Sequence, residues 1–146
     1  IGVSTLEALA LNLVSDEERI ICPVMDARRG QLYTATFLAK DCALSRVTPD
    51  RAIAYTEFEQ EALAYNAEGK KIYICGDGYE LVKKLLPENV ACNTPEMLKY
   101  QSAYSVAQAA LMLFRQGVHT TDGELRPTYL RLPQAERDRL ATLNKN

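Results

Sequence analysis

The most informative stretch of this chain is Ile20–Phe37, with the sequence IICPVMDARRGQLYTATF. Its first arm is apolar and β-branched. Its second arm, from Leu32 onward, alternates between two faces, as expected of a half-buried strand. The turn between the arms ends on Gly30, which readily adopts the positive φ that hairpin turns require. The pattern therefore predicts a β-hairpin.

The hairpin turn carries three charged residues, Asp26, Arg28 and Arg29. Arginine side chains bind carboxylates and phosphates through a planar fork of donors, so the turn is a candidate site for an anion or a carboxylate-bearing partner. The alternative is structural, with Asp26 capping the turn and pairing with an arginine. Both interpretations are open at the level of sequence.

Composition limits the classes of protein to consider. The chain has 146 residues, of which 47% are hydrophobic, and a formal net charge of −2. This length and apolar content suit a folded domain. Proteins that bind nucleic acid on their own usually carry an excess of basic residues. We therefore disfavour an autonomous RNA-binding module and expect no sequence-specific binding of nucleic acid.

The cysteines are too widely spaced for a C-x-x-C unit, and the single histidine, His119, is far from all of them. This spacing predicts no metal site, and no cofactor is expected. Reduced thiols and the lack of a signal peptide or membrane-length apolar run are typical of a cytoplasmic protein. The four cysteines are Cys22, Cys42, Cys75 and Cys92.

Alternating strands and helices predict an α/β fold around the hairpin. Ser4 or Thr5 is the predicted N-cap of a helix that runs to Leu13, and Glu7 lies in capping-box spacing from Ser4. Thr56 is the predicted cap of a second helix that ends near Tyr65. Further elements are expected as short strands within 42–55 around a turn at Pro49–Asp50, a strand over 71–75, a helix over 79–86, a short strand at 90–92 and a helix over 103–116.

A second turn, Gly76-Asp77-Gly78, follows a predicted strand and precedes a predicted helix. Amide groups at a helix start attract anions, so this is a candidate anion-binding turn. It lacks the longer glycine pattern of a dinucleotide or P-loop motif, and a tight structural turn explains it equally well. Nowhere does the sequence assemble a base, a nucleophile and an oxyanion donor, so no catalytic residue is predicted.

Near the end of the chain, Pro127-Thr128-Tyr129-Leu130-Arg131 is predicted to be extended. This segment either docks the tail against the core or forms the edge of a partner surface, with Arg131 offering donors. Residues 133–146 form a polar tail, in which Glu136–Leu143 is predicted to make one or two helical turns.

Three pieces in this order resemble the TsaB family: GVSTLEALA at 2–10, MDARRGQLY at 25–33 and PTYLR at 127–131. The resemblance spans nearly the whole chain. It implies an α/β fold, namely the second lobe of an actin-like (ribonuclease H-like) ATPase fold, with a mixed sheet and flanking helices. Residues 1–132 would form this lobe. The family's first lobe is expected to be absent, since the chain opens at Ile1 without a methionine.

The resemblance further implies a noncatalytic scaffold. Such a protein supports TsaD, which transfers a threonylcarbamoyl group to the adenosine beside the tRNA anticodon, together with the ATPase TsaE. A homodimer is among the expected assemblies. Candidate contacts with a partner or with the other lobe are Asp26, Arg28, Arg29 and Arg131.

An enzyme lobe, nucleotide-binding or peptidase-like, is the alternative function. It would hold its ligand at Gly76-Asp77-Gly78 and at the hairpin turn. In either case, loss of a first lobe is expected to expose apolar surface, chiefly on the helix over 4–13, and to promote association.

Overall fold

The structure is a computed structural model that describes residues 1–131. The predicted tail at 133–146, including the helical turns at Glu136–Leu143, lies outside the described residues. The strands are β1 (Arg19–Asp26), β2 (Gln31–Thr34), β3 (Phe37–Lys40), β4 (Ala43–Arg46), β5 (Arg51–Ala54), β6 (Ile72–Cys75) and β7 (Ala91–Cys92). The helices are α1 (Thr5–Leu11), α2 (Tyr55–Ala67), α3 (Tyr79–Leu85), α4 (Glu96–Lys99) and α5 (Ala103–Arg115).

The seven strands of the described chain form one mixed sheet around β1. Strands β2 and β3 pair antiparallel with β1, and β6 pairs parallel with it. Strand β5 pairs with β2, β4 pairs with β3, and β7 pairs with β6. The mixed sheet with flanking helices confirms the predicted α/β class.

The second arm of the hairpin differs from the continuous strand that its alternation predicted. It is interrupted at Ala35–Thr36, although β2 and β3 keep one antiparallel register on β1. The interruption faces the part of β1 that contains Pro23, which has no N–H to donate to the ladder. Two threonines compensate: Thr34 Oγ1 donates to the Pro23 carbonyl at 2.8 Å, and the Thr36 N–H donates to Thr48 Oγ1 at 2.7 Å.

The helix caps confirm one prediction and contradict another. Ser4 caps α1, because its Oγ accepts the Glu7 N–H at 3.1 Å. Thr56 is not a cap. Helix α2 begins at Tyr55, directly after β5. Its N-cap is Ala54, which makes no side-chain hydrogen bond. Pairing with β2 holds the chain extended up to Ala54, and Tyr55 N–H donates to the Gly30 carbonyl at 3.0 Å, so a side-chain cap is not needed there.

Apolar residues pack on both faces of the sheet. One cluster joins β1 and β6 to α2 and α3 through residues such as Val24, Phe58 and Val82. The other joins the opposite face to α1 through residues such as Leu9 and Phe37. Among residues 1–131, no helix is long and apolar enough to cross a membrane.

The helix predicted to be exposed is buried, and a different helix is exposed. In α1, Leu6, Ala8, Leu9 and Ala10 are all buried, because α1 lies between the sheet and α5. Helix α5 packs only one narrow face inward, so several of its large apolar residues face solvent. The exposed large side chains of this helix are Tyr104, Leu111, Met112 and Phe114.

Candidate functional site at the paired turns

The two candidate turns lie side by side. Strands β1 and β6 run parallel and end at the same edge of the sheet, so the hairpin turn and Gly76-Asp77-Gly78 emerge next to each other. The Asp26 N–H donates to Asp77 Oδ1 at 3.3 Å, which joins the two turns directly. The two turns themselves contain six of the seven site residues that the sequence singled out.

The hairpin turn is organised by Asp26. Its Oδ1 accepts the Arg28 N–H at 2.7 Å, and its Oδ2 lies 3.2 Å from Arg28 Nη1. These contacts confirm that Asp26 caps the turn and pairs with an arginine. The Tyr55 hydroxyl is 3.5 Å from the same carboxylate, and desolvation together with this negative charge raises the pKa of Tyr55.

Three consecutive residues of this turn adopt positive φ: Arg28 at 63°, Arg29 at 55° and Gly30 at 75°. Two non-glycine residues in the left-handed region are uncommon and cost backbone energy. The conformation presents both guanidinium groups to solvent, and the Arg28 side chain is 84% exposed. Arg28 and Arg29 therefore lie at the surface, whereas the Asp26 carboxylate is occupied by the turn itself.

Close packing against β1 explains why glycine occupies positions 76 and 78 in the second turn. Gly76 has a φ of 104°, and a Cβ built on it would lie 2.1 Å from the Val24 carbonyl oxygen. Gly78 donates its N–H to that same oxygen at 3.2 Å, and its own Cβ would lie 3.3 Å from the Val24 carbonyl carbon. The turn thus packs backbone to backbone on β1, which accounts for both glycines without a ligand.

Arg131 is brought to the hairpin turn from the far end of the described chain. Its Nη1 donates to the Ala27 carbonyl at 2.6 Å, while its Nε is buried without a hydrogen-bond partner. Arg131 therefore docks its segment on the turn, as one of the two sequence interpretations predicted. Tyr129 of the same segment is 85% exposed.

A cleft of about 890 Å³ lies between residues 2–6 and the 120–131 segment, beside Met25 and Tyr33. Two of its polar lining residues, Ser4 and Asp50, are already paired. Ser4 Oγ donates to Asp50 Oδ2 at 2.6 Å, and Arg46 binds Asp50 at 2.5 Å and Glu7 at 2.6 Å. Glu7 consequently does not complete the capping box. Sequence reasoning missed Arg46 because its partner Glu7 is 39 residues away and no local pattern links them.

Within the described part of the chain, no group of three or more histidine, cysteine, aspartate or glutamate side chains is placed to hold a metal ion. The four cysteines are free. Burial, followed by the charge of Glu61, raises the pKa of Cys22 to about 12, and burial also raises the pKa of Cys75. Buried thiols with raised pKa values are poor nucleophiles.

A protein-family model matches most of this chain. The model described as TsaD, tRNA N6-adenosine threonylcarbamoyltransferase, matches residues 1–138. The chain therefore belongs to this family.

Within that class, the resemblance to TsaB predicted from the three motifs is confirmed. The chain is 27% identical over 136 residues to the tRNA threonylcarbamoyladenosine biosynthesis protein TsaB of Bacillus subtilis (strain 168). The match covers 92% of this chain and 57% of the Bacillus protein, so the chain spans a little over half the length of that relative.

A solved structure shares the fold. It is the crystal structure of a Pseudomonas aeruginosa protein described as having similarity to peptidase YeaZ, with a TM-score of 0.66. Sequence identity is 20%, and the superposition covers 88% of this chain and 57% of that one. At this identity the likeness shows the fold, which is the expected actin-like one.

Proposed function

We propose that this chain acts as a noncatalytic scaffold in the synthesis of threonylcarbamoyladenosine in tRNA, supporting a TsaD enzyme together with TsaE. The observation that carries the proposal is the match to TsaB across 92% of the chain. The described geometry is consistent with a scaffold, because Asp26 and Asp77, where the two turns meet, accept hydrogen bonds from the backbone of the hairpin.

Arg28 and Arg29 are the proposed contact with the partner. They project from the tip of the hairpin on a backbone that Asp26 holds in place. Arg131 stabilises the same turn by donating a hydrogen bond to the Ala27 carbonyl. Guanidinium groups on a rigid turn suit an acidic surface, because less side-chain freedom is lost when each bidentate bond forms.

Co-purification with TsaD tests this role. We expect a tagged 146-residue chain to capture TsaD, and the double charge reversal Arg28→Glu with Arg29→Glu to reduce the captured amount at least tenfold. The matched control is Lys83→Glu with Lys84→Glu, which makes the same change of charge at an exposed pair on α3. Equal losses in both variants would indicate a nonspecific effect of charge.

A longer form that includes a first lobe separates two further outcomes. Capture by the longer form alone would place the interface outside this chain and contradict the role of the arginines. Capture by neither form would contradict the scaffold proposal itself. A calorimetric titration with ATP and magnesium then tests the nucleotide-binding alternative, and heat that is lost in the Arg28→Glu, Arg29→Glu variant would support it.

A further inference from the structure

The cleft between residues 2–6 and the 120–131 segment contains an arginine whose donors are only partly used. Arg131 lines this cleft. Its Nη1 donates to the Ala27 carbonyl at 2.6 Å, and its Nε is buried without a partner among the described residues. A buried donor without an acceptor is costly and calls for an explanation. Nε and Nη2 offer two parallel N–H groups, which is the fork that binds both oxygens of a carboxylate.

The acidic side chains that line the cleft are already engaged, so they leave these donors unanswered. Asp50 is held by the contacts described above. Glu124 accepts the N–H and the hydroxyl of Thr121 at 2.8 and 2.9 Å, and these bonds hold the pKa of Glu124 below its usual value. The two arginines of the cleft, Arg126 and Arg131, take part in none of the ion pairs among residues 1–131. The cleft can therefore accept a further negative charge.

Apolar side chains form much of the cleft wall and set a second requirement on a ligand. Met25 lines one side and Leu125 the other. A Cβ built on Gly2 would lie 2.9 Å from Leu125 Cδ1, so the 120–131 segment rests directly on the start of the chain. This contact and the Arg131 bond attach the segment at two points. The cleft volume of about 890 Å³ is within the range of small-molecule sites, in which apolar walls hold the body of the ligand and a few polar groups orient it.

We propose that this cleft binds a carboxylate attached to an apolar body, with the carboxylate on the Arg131 fork and the body between Met25 and Leu125. A carboxylate suits a single fork because it has two coplanar oxygens and one charge. A free apolar acid and the C-terminal end of a peptide share this chemistry. The inference does not rest on the proposed function, which uses Arg28 and Arg29 at the tip of the hairpin.

A heteronuclear NMR titration tests the site, because the Nε–H group of Arg131 gives a signal of its own. The probe is N-acetyl-leucine, and the control is its carboxamide, which has the same body without the charge. We expect the acid to shift this signal and the backbone N–H signals of 2–6 and 120–131 saturably. The carboxamide should bind at least tenfold more weakly.

Three results of this titration would overturn the proposal. The first is the absence of a saturable shift at millimolar concentrations of the acid. The second is equal binding of the carboxamide, since the carboxylate would then contribute nothing. The third is inorganic phosphate that binds as tightly as the acid, since the apolar body would then be unnecessary.

Two variants locate the ligand on opposite walls of the cleft. Arg131→Lys keeps the charge but removes the fork, and Thr5→Trp fills the cleft from the exposed first residue of α1 without altering Arg131. Each should weaken binding of N-acetyl-leucine at least tenfold. The control is Arg115→Lys, the same change at an exposed arginine on α5, which should leave the affinity intact. Backbone N–H signals verify that each variant is folded, and full affinity in either cleft variant would overturn the site.

An acetylated tripeptide that ends in leucine distinguishes the two sources of the carboxylate. Tighter binding of the tripeptide than of N-acetyl-leucine would identify a chain end as the ligand, and equal or weaker binding would identify the free acid. In either case the carboxamide form of the tripeptide should bind at least tenfold more weakly. A carboxamide tripeptide that binds as tightly as the acid would contradict the role of the Arg131 fork.

Discussion

The two turns at the end of the sheet both contain glycine and positive φ, yet they are held in different ways. The turn at Gly76–Gly78 lies against the backbone of β1, and a side chain at Gly76 has no room. The hairpin turn is open: nothing lies within 4 Å of a Cβ built on Gly30, and Asp26 holds the backbone by hydrogen bonds. The first turn is therefore packed into the core, and the second is an exposed turn that Asp26 holds in shape.

Gly76→Ala should have the largest effect. The new Cβ would meet the Val24 carbonyl oxygen at 2.1 Å, and the φ of 104° adds backbone strain. We expect a loss of about 3 kcal/mol or more in the free energy of unfolding, a large part of the roughly 5–15 kcal/mol that stabilises a typical domain. Urea denaturation measures it. If the Gly76→Ala variant keeps almost the full free energy of unfolding, the Gly76 turn is no more tightly packed than the hairpin turn.

Raising the pH tests the burial of Cys22 in the core. Burial raises the pKa of Cys22 from its ordinary value of 9.0 to about 12, so the unfolded chain releases this proton first as pH rises. The thiol's contribution to stability is complete below pH 9 and is lost toward pH 12, by about 1.4 kcal/mol for each pH unit in that window. Urea unfolding at pH 8 and 10.5 should therefore show a steeper decline for the native chain than for Cys22→Ala. Parallel declines would contradict a closed core.

Asp26→Ala removes the support of the open turn. The Arg28 N–H loses its acceptor and the Arg28 guanidinium loses its partner, which we expect to cost about 1 kcal/mol of unfolding free energy. Asp26→Asn is the matched variant, since its amide oxygen can still accept the N–H. If both variants lose the same amount, the ion pair and not the cap holds the turn.

Gly30→Ala should cost no more than about 1 kcal/mol, because a φ of 75° disfavours alanine while open space imposes no clash. Thermal unfolding, run beside Gly76→Ala, gives the contrast directly. A loss for Gly30→Ala as large as for Gly76→Ala would mean that the hairpin turn is packed against something after all.

Charge reversal at Arg28 and Arg29 should lower stability by no more than about 1 kcal/mol, because both side chains are exposed and the ion pair between Arg28 and Asp26, which the change removes, lies at the surface. The same variant is expected to lose capture of TsaD. Measuring the free energy of unfolding and the captured TsaD on one preparation separates the loss of a partner contact from the loss of folding. A large loss of stability would make the capture result uninformative about contact and would contradict an open turn.

Local sequence alone was sufficient for several features: the hairpin with Gly30, the Ser4 cap, the strand before Gly76 and the long helix that became α5. In each of these, the deciding interactions join residues close together in the chain, and residue types report them directly. The TsaB resemblance was likewise readable from three short motifs. The seven candidate site residues were named from sequence. Six of them lie together because parallel β1 and β6 end at one edge, and the seventh, Arg131, reaches the hairpin turn through its bond to the Ala27 carbonyl.

Tertiary structure alone decided the features that depend on distant neighbours. Alternation could not reveal the break at Ala35–Thr36, which lies opposite Pro23 on another strand. The local sequence favoured an N-cap at Thr56. Pairing of β5 with β2 instead keeps the chain extended up to Ala54, and α2 begins there without a side-chain cap. Likewise, α1 and α5 are both rich in apolar residues, and composition does not say which lies between two layers and which covers only one. Burial is a property of neighbours brought together by the whole chain, and that is why α5, not α1, presents exposed apolar side chains.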